Sequence, residues 1–258
     1  MTTIDIGVTS WFLPVRGAST LEWARSAGFN YLHVDFGDVP TFADRAACRA
    51  ISDALGIRLA GLAVDQLESV GVWDTEATVC VERAIDAALD LGIDYVYLPS
   101  FAAAEMRTPS DITATASLLR RAVRSAQPHG ITIGTENTLA AAGLDLLFDL
   151  VDEPALDLLF DTQNLCIRGV DSFSVLAAHG ARVRRYVHVK DGGAELGDRR
   201  LGSGDVRLAE ILSALDASGF RGVHVVESDY RNALPDAARQ DQRWLANALT
   251  SIRQQKVM

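Results

Sequence analysis

Short apolar segments alternate with longer amphipathic segments along the chain. The short segments are rich in Val, Ile, Leu and Tyr, which is typical of strands. The predicted strands lie near residues 3–9, 30–35, 57–64, 93–99, 131–136, 156–161, 183–189 and 222–228. The segments between them repeat apolar residues at helical spacing, as at Val81, Ile85, Ala88 and Leu89. Strands and helices are therefore expected to alternate throughout.

Glycines recur just before predicted strands, where the preceding helix would end. They are Gly28, Gly56, Gly92, Gly130 and Gly219. Glycine readily takes the left-handed conformation that closes many helices. Eight strand and helix units of about 30 residues each, with no linker or low-complexity tract between them, predict one α/β domain, a (β/α)8 TIM barrel over residues 1–258.

The composition favours one large core and limits the partners. Of 258 residues, 48% are hydrophobic, which is enough to fill a barrel. A formal net charge of -10 disfavours nucleic acid, because such binding depends on cationic groups that meet phosphates. The first residues lack a secretory signal pattern, and no apolar run is long enough to cross a bilayer. We therefore expect a cytoplasmic protein without nucleic-acid or membrane partners.

The cysteines give no sign of a metal site or a disulfide framework. There are three, Cys48, Cys80 and Cys166, in no ligand-like spacing. An odd count indicates a reducing compartment, and we expect buried structural thiols.

Four predicted strands in the second half end on residues that can bind a divalent metal. These residues are Glu136, Asp161, His188 and Glu227. In a barrel the carboxyl ends of the strands form one rim, where functional groups collect. Two glutamates, one aspartate and one imidazole form an oxygen and nitrogen set suited to manganese, cobalt, magnesium or zinc. The sequence therefore predicts one divalent metal as cofactor.

Strand phase places these side chains on the inner face of the barrel. Alternate residues of a strand face the lumen, so His188 shares its face with Tyr186, and Glu227 shares its face with Val225. His224 has the opposite phase, and we expect it to be a structural residue of the helix layer.

Other residues near the same rim are candidates for substrate binding. Lys190 has the phase of His188 and would neutralise a developing oxyanion or bind an anionic substrate group; an ion pair with Asp191 or Glu195 is the alternative. The segment from Gly192 to Val206 is long enough to be a lid, from which Arg199 or Arg200 would reach a substrate anion.

The first two predicted strands add three more candidates. Asp35 ends the second strand, and its place at the rim suits substrate binding. His33 shares that phase, with substrate contact and core packing as alternatives. Trp11 follows the first strand. With Phe12, it would line the pocket or pack in the core.

The order of these motifs resembles the xylose-isomerase-like TIM-barrel family. The resemblance rests on Glu136 and Asp161 at strand ends, on HVKD in the seventh strand, on the following LGSGDV, and on Glu227. It implies a divalent metal, commonly manganese, held by residues that match Glu136, Asp161, His188 and Glu227. It also implies a small carbohydrate substrate and a homodimer or homotetramer. The family includes sugar isomerases, ketose 3-epimerases, and inosose isomerases and dehydratases.

One position departs from the family pattern. Many members have a histidine three residues after the aspartate of the sixth strand, whereas this chain has Asn164. Asparagine donates and accepts hydrogen bonds but takes no proton at neutral pH. We expect Asn164 to position a substrate hydroxyl, or the activity to differ from that of the members with histidine.

The expected chemistry is proton transfer at a carbon beside a carbonyl. An isomerase or epimerase of a small sugar, ketose or cyclitol would use Glu136 and Glu227 to remove and return the proton through a metal-stabilised enediolate. The alternative is a dehydratase of an inosose or dehydroshikimate-like substrate, in which Asp35 or Lys190 protonates the leaving hydroxyl.

Two further functions fit the sequence less well. An abasic-site endonuclease on this barrel needs several zinc ions and more histidines than the five present. A metal-binding protein without catalysis would require a rim closed to substrate.

Overall fold

The computed structural model describes residues 4–38, 45–233 and 235–255. Thr3, the first residue of the first predicted strand, lies outside the described residues. The strands are β1 (Ile6–Thr9), β2 (Tyr31–Asp35), β3 (Arg58–Ala63), β4 (Tyr95–Pro99), β5 (Thr132–Glu136), β6 (Asp157–Leu158), β7 (Phe160–Asp161), β8 (Tyr186–Val189) and β9 (Val223–Val226).

Helices follow the strands in the alternation that the sequence predicts. They are α1 (Ser19–Ser26), α2 (Arg45–Leu55), α3 (Leu67–Val70), α4 (Thr75–Leu91), α5 (Pro109–Ala126), α6 (Ala141–Val151), α7 (Asn164–Ile167), α8 (Ser172–His179), α9 (Leu208–Ala217) and α10 (Pro235–Gln255). Short 3-10 turns lie at Ala102–Ala104, Gln127–His129 and Gly180–Arg182.

The strands form one parallel sheet that curls into a barrel. Its order is β6-β5-β4-β3-β2-β1-β9-β8-β7. β6 pairs with β5 and β7 pairs with β8, yet β6 and β7 are separated in the chain only by Leu159. The amide of Leu159 donates to the carbonyl of Thr135 at 2.9 Å. The sixth predicted strand is therefore two short strands that join both edges of the sheet, and the TIM barrel is confirmed.

Local signals in the sequence account for the helix ends. All five glycines expected to close helices have positive φ angles, from 61° at Gly56 to 94° at Gly219. At the start of α5, Thr108 and Asp111 form a reciprocal capping box, which satisfies amides that the helix leaves unpaired.

Two apolar layers lie on the two faces of the sheet. The outer and larger layer packs the strands against the helices. His224 lies on this outer side, with its ring centroid 5.2 Å from that of Phe220. The inner cluster fills the lumen and consists of Ala60, Ala63, Tyr95, Tyr97, Leu159, Tyr186 and Val225.

Two glycines in the lumen make room for aromatic rings. A Cβ on Gly134 would collide with the Tyr95 hydroxyl, and a Cβ on Gly61 would lie 2.6 Å from Nε2 of His33. The small residues on the inner face of a strand are therefore a packing requirement of the barrel.

The cysteines differ in exposure. All three are free; Cys48 is buried, whereas Cys80 is half-buried and Cys166 is exposed, so the prediction of three buried thiols is wrong for the last two.

Among the described helices, none combines the length and apolar character that a bilayer crossing requires.

Candidate active site

The four predicted ligand residues come together at the carboxyl ends of the strands. Glu136 ends β5, Asp161 ends β7, His188 lies in β8 and Glu227 follows β9. All four are buried, and each offers one ligand atom within 4.8 Å of the others. Asp161 and His188 are also direct partners in the register of β7 and β8. Strands distant in sequence thus place four donors around one point.

The chemistry of these donors fits a divalent metal ion. Nδ1 of His188 lies 3.1 Å from Oε2 of Glu227 and 3.6 Å from Oε1 of Glu136. Within the described part of the chain, neither this nitrogen nor Oδ2 of Asp161 makes a hydrogen bond of good geometry, although both atoms are buried and Nζ of Lys190 lies 3.2 Å from Oδ2. Buried polar atoms without such bonds are costly, and a cation bound between them removes the cost.

The charges of the cluster shift its pKa values in opposite directions. Burial by itself lowers the pKa of His188, but the carboxylates of Glu227 and Glu136 raise it to about 10. Burial raises the pKa of Asp161 to about 6, against the effect of Lys190. Burial also acts to raise the pKa of Glu227, but Lys190 and His188 more than offset it and hold that pKa below its ordinary value.

Lys190 is part of the cluster. Its Nζ lies 2.8 Å from Oε2 of Glu227 and 3.2 Å from Oδ2 of Asp161, and the side chain is 2% exposed. The alternative pairing with Asp191 or Glu195 is wrong, because the lysine points inward. Three carboxylates face this one ammonium, so two negative charges remain unbalanced when His188 is neutral. A divalent cation bound by these residues would balance them.

His33 lies next to the cluster inside the barrel. Its Nδ1 is 3.3 Å from Nε2 of His188, and the residue is fully buried. Burial and the neighbouring His188 hold the pKa of His33 well below its usual value, so the ring is neutral. In the tautomers in which Nδ1 of neutral His33 accepts a hydrogen bond from Nε2 of His188, Nδ1 of His188 is free as a ligand. His33 does not line the cavity at the rim.

A cavity of about 320 Å³ opens at the rim beside the cluster. Its lining includes Trp11, Phe12, Asp35, Ala63, Asp65, Glu68, Tyr97, Pro99, Phe101, Glu136, Asn164, Lys190, Leu196 and Glu227. This volume suits a single small molecule. The rim is therefore open to a substrate, contrary to what a metal-binding protein without catalysis would show.

Each glutamate of the cluster has a neutral hydrogen-bond donor beside it. Nε1 of Trp11 donates to Oε1 of Glu227 at 3.1 Å, and Nδ2 of Asn164 donates to Oε1 of Glu136 at 3.0 Å. The backbone amide of Asn164 also donates to Oδ1 of Asp161 at 2.7 Å. These donors hold both glutamates in one orientation toward the cavity.

Asp35 lies on the β2 and β3 side of the cavity, next to carboxylates that sequence reasoning missed. Asp65 and Glu68 follow β3, and the carboxyl group of Asp65 lies beside that of Asp35. Burial, with the neighbouring carboxyl group of Asp65, raises the pKa of Asp35 to about 8. Burial raises the pKa of Glu68 to about 6. Their place just after a strand end is the signal that could have found them.

The arginines of the long loop do not reach the cavity. Nη1 of Arg200 pairs with Oδ2 of Asp241 at 3.2 Å, and Arg199 is exposed with its Nε 4.0 Å from Asp198. The loop is fixed instead by Asp191, whose Oδ2 accepts hydrogen bonds from the amides of Gly202 and Gly204. The expectation that Arg199 or Arg200 meets a substrate anion has no support in this arrangement.

A second residue ties the loop to the cluster. The side chain of Gln163 donates from Nε2 to the carbonyl of Glu195 at 2.9 Å and accepts at Oε1 from the amide of Gly197 at 2.8 Å. Leu196, between these two anchors, reaches the cavity. The loop thus contributes an apolar wall.

Comparison with known proteins identifies the family. The model of the xylose isomerase-like TIM barrel family matches residues 21–248. The chain belongs to this family.

Two curated relatives carry different activities in their names. The 2-epi-5-epi-valiolone 7-phosphate 2-epimerase of Actinoplanes sp. is 31% identical over 265 residues, covering 98% of this chain and 97% of the relative. An inosose dehydratase of Geobacillus thermodenitrificans is 29% identical over 109 residues, covering 35% of this chain and 36% of the relative.

Solved structures share the fold at low sequence identity. The IOLI protein with a bound zinc atom has a TM-score of 0.80 at 15% identity, with 96% of this chain and 99% of that chain covered. An L-ribulose 3-epimerase has a TM-score of 0.78 at 19% identity, with 98% and 97% covered.

Proposed function

We propose that the protein is a divalent-metal-dependent isomerase or epimerase of a small sugar, ketose or cyclitol. One observation carries the proposal: two oriented glutamates, Glu136 and Glu227, line the same small cavity as the buried ammonium of Lys190. Proton transfer beside a carbonyl needs a base, an acid and positive charge near the oxygen that becomes negative. The epimerase name of the relative that is 31% identical supports the same class.

Glu136, Asp161, His188 and Glu227 would hold the metal. When bound, it would supply Lewis-acid stabilisation of negative charge that develops on the substrate oxygens. Manganese is our first candidate, with cobalt, magnesium and zinc as alternatives of the same ligand preference.

The two glutamates move the proton. One glutamate, as the carboxylate, removes it from the carbon beside the carbonyl and becomes a carboxylic acid, while the other, as the carboxylic acid, gives its own proton to the second face or to the neighbouring carbon and becomes a carboxylate. Trp11 and Asn164 each donate to one of these carboxylates and so fix the direction from which it approaches the substrate. A fixed approach lowers the entropic cost of the transfer.

Lys190 stabilises charge. Burial lowers the pKa of Lys190, but Asp161 and Glu227 outweigh it and hold the pKa above its ordinary value, so the side chain stays an ammonium. Its position on the cavity wall allows it to donate a hydrogen bond to the substrate oxygen that becomes negative. Asn164 lines the same wall and would position a hydroxyl.

A dehydratase is the second candidate, and Asp35 is the observation that favours it. The raised pKa of Asp35, about 8, means that this carboxyl carries a proton near neutral pH. A protonated carboxyl that lines the cavity is the acid that departure of a hydroxyl requires.

The test is incubation of metal-loaded protein with ketoses, inososes and dehydroshikimate in deuterated water. Deuterium incorporated into a product of unchanged formula supports the isomerase or epimerase, and loss of water supports the dehydratase. Absence of exchange with every compound would remove the proposal. Treatment with a chelator should abolish exchange, and manganese should restore it.

Glutamine variants test the two bases. We expect Glu136→Gln and Glu227→Gln to lower turnover by about a hundredfold or more, because each removes a proton-transfer group. The control is Glu153→Gln, which alters an ion pair with Arg124 on the outside of the barrel and should keep full turnover.

A further inference from the structure

One end of the cavity has polar groups that the proton transfer does not use. Asp35, Asp65 and Glu68 line this end. Lys190 is the only cation among the lining residues that the structure describes, and it is already paired with Asp161 and Glu227. Three carboxyl groups without a cation of their own are costly to bring together, so a ligand that hydrogen-bonds to them would offset part of that cost.

The Tyr97 hydroxyl points to a ligand independently. Tyr97 is 1% exposed and lines the cavity, and within the described residues its hydroxyl has no hydrogen-bond partner. Burial raises the pKa of Tyr97 far above its usual value, and Glu136, Glu227 and Asp35 add to this effect. The hydroxyl thus lies in the field of the carboxylates at both ends of the cavity and is available to bond a ligand between them.

The acidic groups are arranged as hydrogen-bonding groups. Oδ1 of Asp35 accepts from the amide of Gly37 at 2.7 Å, which fixes this carboxyl group beside that of Asp65. The pKa of Asp35, which burial raises to about 8, leaves a proton on this carboxyl near neutral pH, so the group both donates and accepts hydrogen bonds. A substrate hydroxyl also does both, whereas an ammonium only donates and a phosphate dianion only accepts.

A second metal ion is a poorer match for this end. Among the described residues, the only group of three or more side chains placed to hold a metal consists of Glu136, Asp161, His188 and Glu227. The carboxyl groups of Asp35, Asp65 and Glu68 do not converge in this way.

We propose that Tyr97, Asp35, Asp65 and Glu68 form a polyol-binding subsite for the uncharged, multiply hydroxylated end of the substrate. The subsite rests on the proposed function, which places the carbonyl end at Glu136 and Glu227. Among the described lining residues, a phosphate on the hydroxylated end would face three carboxyl groups and no free cation. The protein therefore selects substrates whose far end carries hydroxyls.

The experiment measures dissociation constants by ligand-observed NMR on manganese-free protein loaded with magnesium, which avoids paramagnetic broadening. The probes are fructose, a ketose with a hydroxylated far end, and fructose 6-phosphate, which carries a phosphate there. The variants are the double substitution Asp35→Asn with Asp65→Asn, and Tyr97→Phe. Asparagine keeps the oxygen that accepts from Gly37. Tyr97→Phe removes only a hydroxyl that has no hydrogen-bond partner in the described part of the chain, so this variant should fold even where the double variant does not.

For fructose, we expect the dissociation constant to rise about tenfold in the double variant and about threefold in Tyr97→Phe, as loss of one or two hydrogen bonds predicts. We expect fructose 6-phosphate to bind the wild type more weakly than fructose does. The ratio of the two dissociation constants should be smaller in the double variant than in the wild type. Asp53→Asn, an exposed carboxyl at the opposite end of the barrel, is the control and should change neither constant.

The proposal is overturned if fructose does not bind the wild type, if both variants bind it as the wild type does, or if the phosphate ester binds more tightly with no response to the double variant. If fructose binding weakens in the double variant but no compound exchanges deuterium, the proposed function is overturned and the subsite stands. Exchange with unchanged binding in both variants would overturn the subsite alone.

Discussion

His33 on β2 and His188 on β8 meet inside the barrel, with Nδ1 of one 3.3 Å from Nε2 of the other. The contact leaves Nδ1 of His188 facing the carboxylates of Glu136 and Glu227. Gly61 makes the contact sterically possible, because any side chain there would press on the His33 ring. A residue outside the cavity lining thus contacts a candidate metal ligand and favours one orientation of its ring.

Removal of the His33 nitrogens should weaken metal binding. We expect His33→Phe, which keeps an aromatic ring, to reduce affinity for manganese by about 10- to 100-fold, the usual effect of losing the partner of a metal-binding histidine. Isothermal titration calorimetry measures the affinity, and His129→Gln on the exposed surface is the control. Wild-type affinity in a folded His33→Phe protein would contradict the orienting role.

Replacement of Lys190 should destabilise the metal-free protein. Lys190→Met leaves Asp161 and Glu227 buried beside each other without their counter-ion. We expect the free energy of unfolding to fall by about 3–5 kcal/mol, because breaking a buried ion pair leaves uncompensated charge. Urea denaturation in the presence of a chelator measures this change.

The matched control for Lys190 is an exposed ion pair. Arg231→Met removes the partner of Asp229 at the surface, and we expect a change below about 1 kcal/mol. Equal losses of unfolding free energy in the two variants would mean that the buried Lys190 pairs stabilise the fold no more than an exposed ion pair does.

Asn164 should affect the rate more than substrate affinity. Asn164→Ala removes the hydrogen bond to Oε1 of Glu136, and we expect kcat to fall about tenfold with a small change in KM. Asn164→Asp should lower kcat further, because it replaces a hydrogen-bond donor to Glu136 with a carboxylate that repels it. Steady-state kinetics on the substrate found by deuterium exchange measure both effects, with the exposed Asn247→Ala as control. A change confined to KM would indicate that Asn164 serves substrate binding alone.

Acid should destabilise the protein through His224. Burial and the nearby Arg253 lower the pKa of His224 to about 3, whereas the unfolded chain titrates near about 6.5. The folded state binds fewer protons between these values, so this contribution to stability is present above the unfolded pKa and is lost as the pH falls toward the folded one. Between pH 7 and pH 4.5 we expect a loss of about 2–3 kcal/mol from this group.

The measurement is urea denaturation at both pH values for the wild type and for His224→Leu. The leucine variant should lose less stability on acidification, since it has no imidazole to protonate. An identical pH dependence in the two proteins would show that His224 is not the group responsible.

The sequence was sufficient for the barrel and for the four residues of the candidate metal centre. Strand alternation and glycine helix ends are local signals, because side-chain direction repeats every two residues in a strand and positive φ favours glycine. Once eight strands are in phase, Glu136, Asp161, His188 and Glu227 must share the inner face and the same rim.

The tertiary structure decided which other side chains meet them. Lys190 was placed on the correct face, but its partners depend on how far neighbouring strands are staggered, and it pairs with Asp161 and Glu227. Asp65 and Glu68 were missed because they lie past a strand end, where no periodicity indicates direction.

The tertiary structure also decided the loop conformations and the contacts across the barrel. Arg199 and Arg200 could not be placed from sequence, because the turns of their loop are set by hydrogen bonds to Asp191 and Gln163. The contact of His33 with His188 joins residues 155 positions apart and needs the space that Gly61 leaves. Sequence determines the face of the sheet on which a strand residue lies, because side-chain direction alternates along a strand. The distances between side chains of different strands are set only when the sheet closes into a barrel.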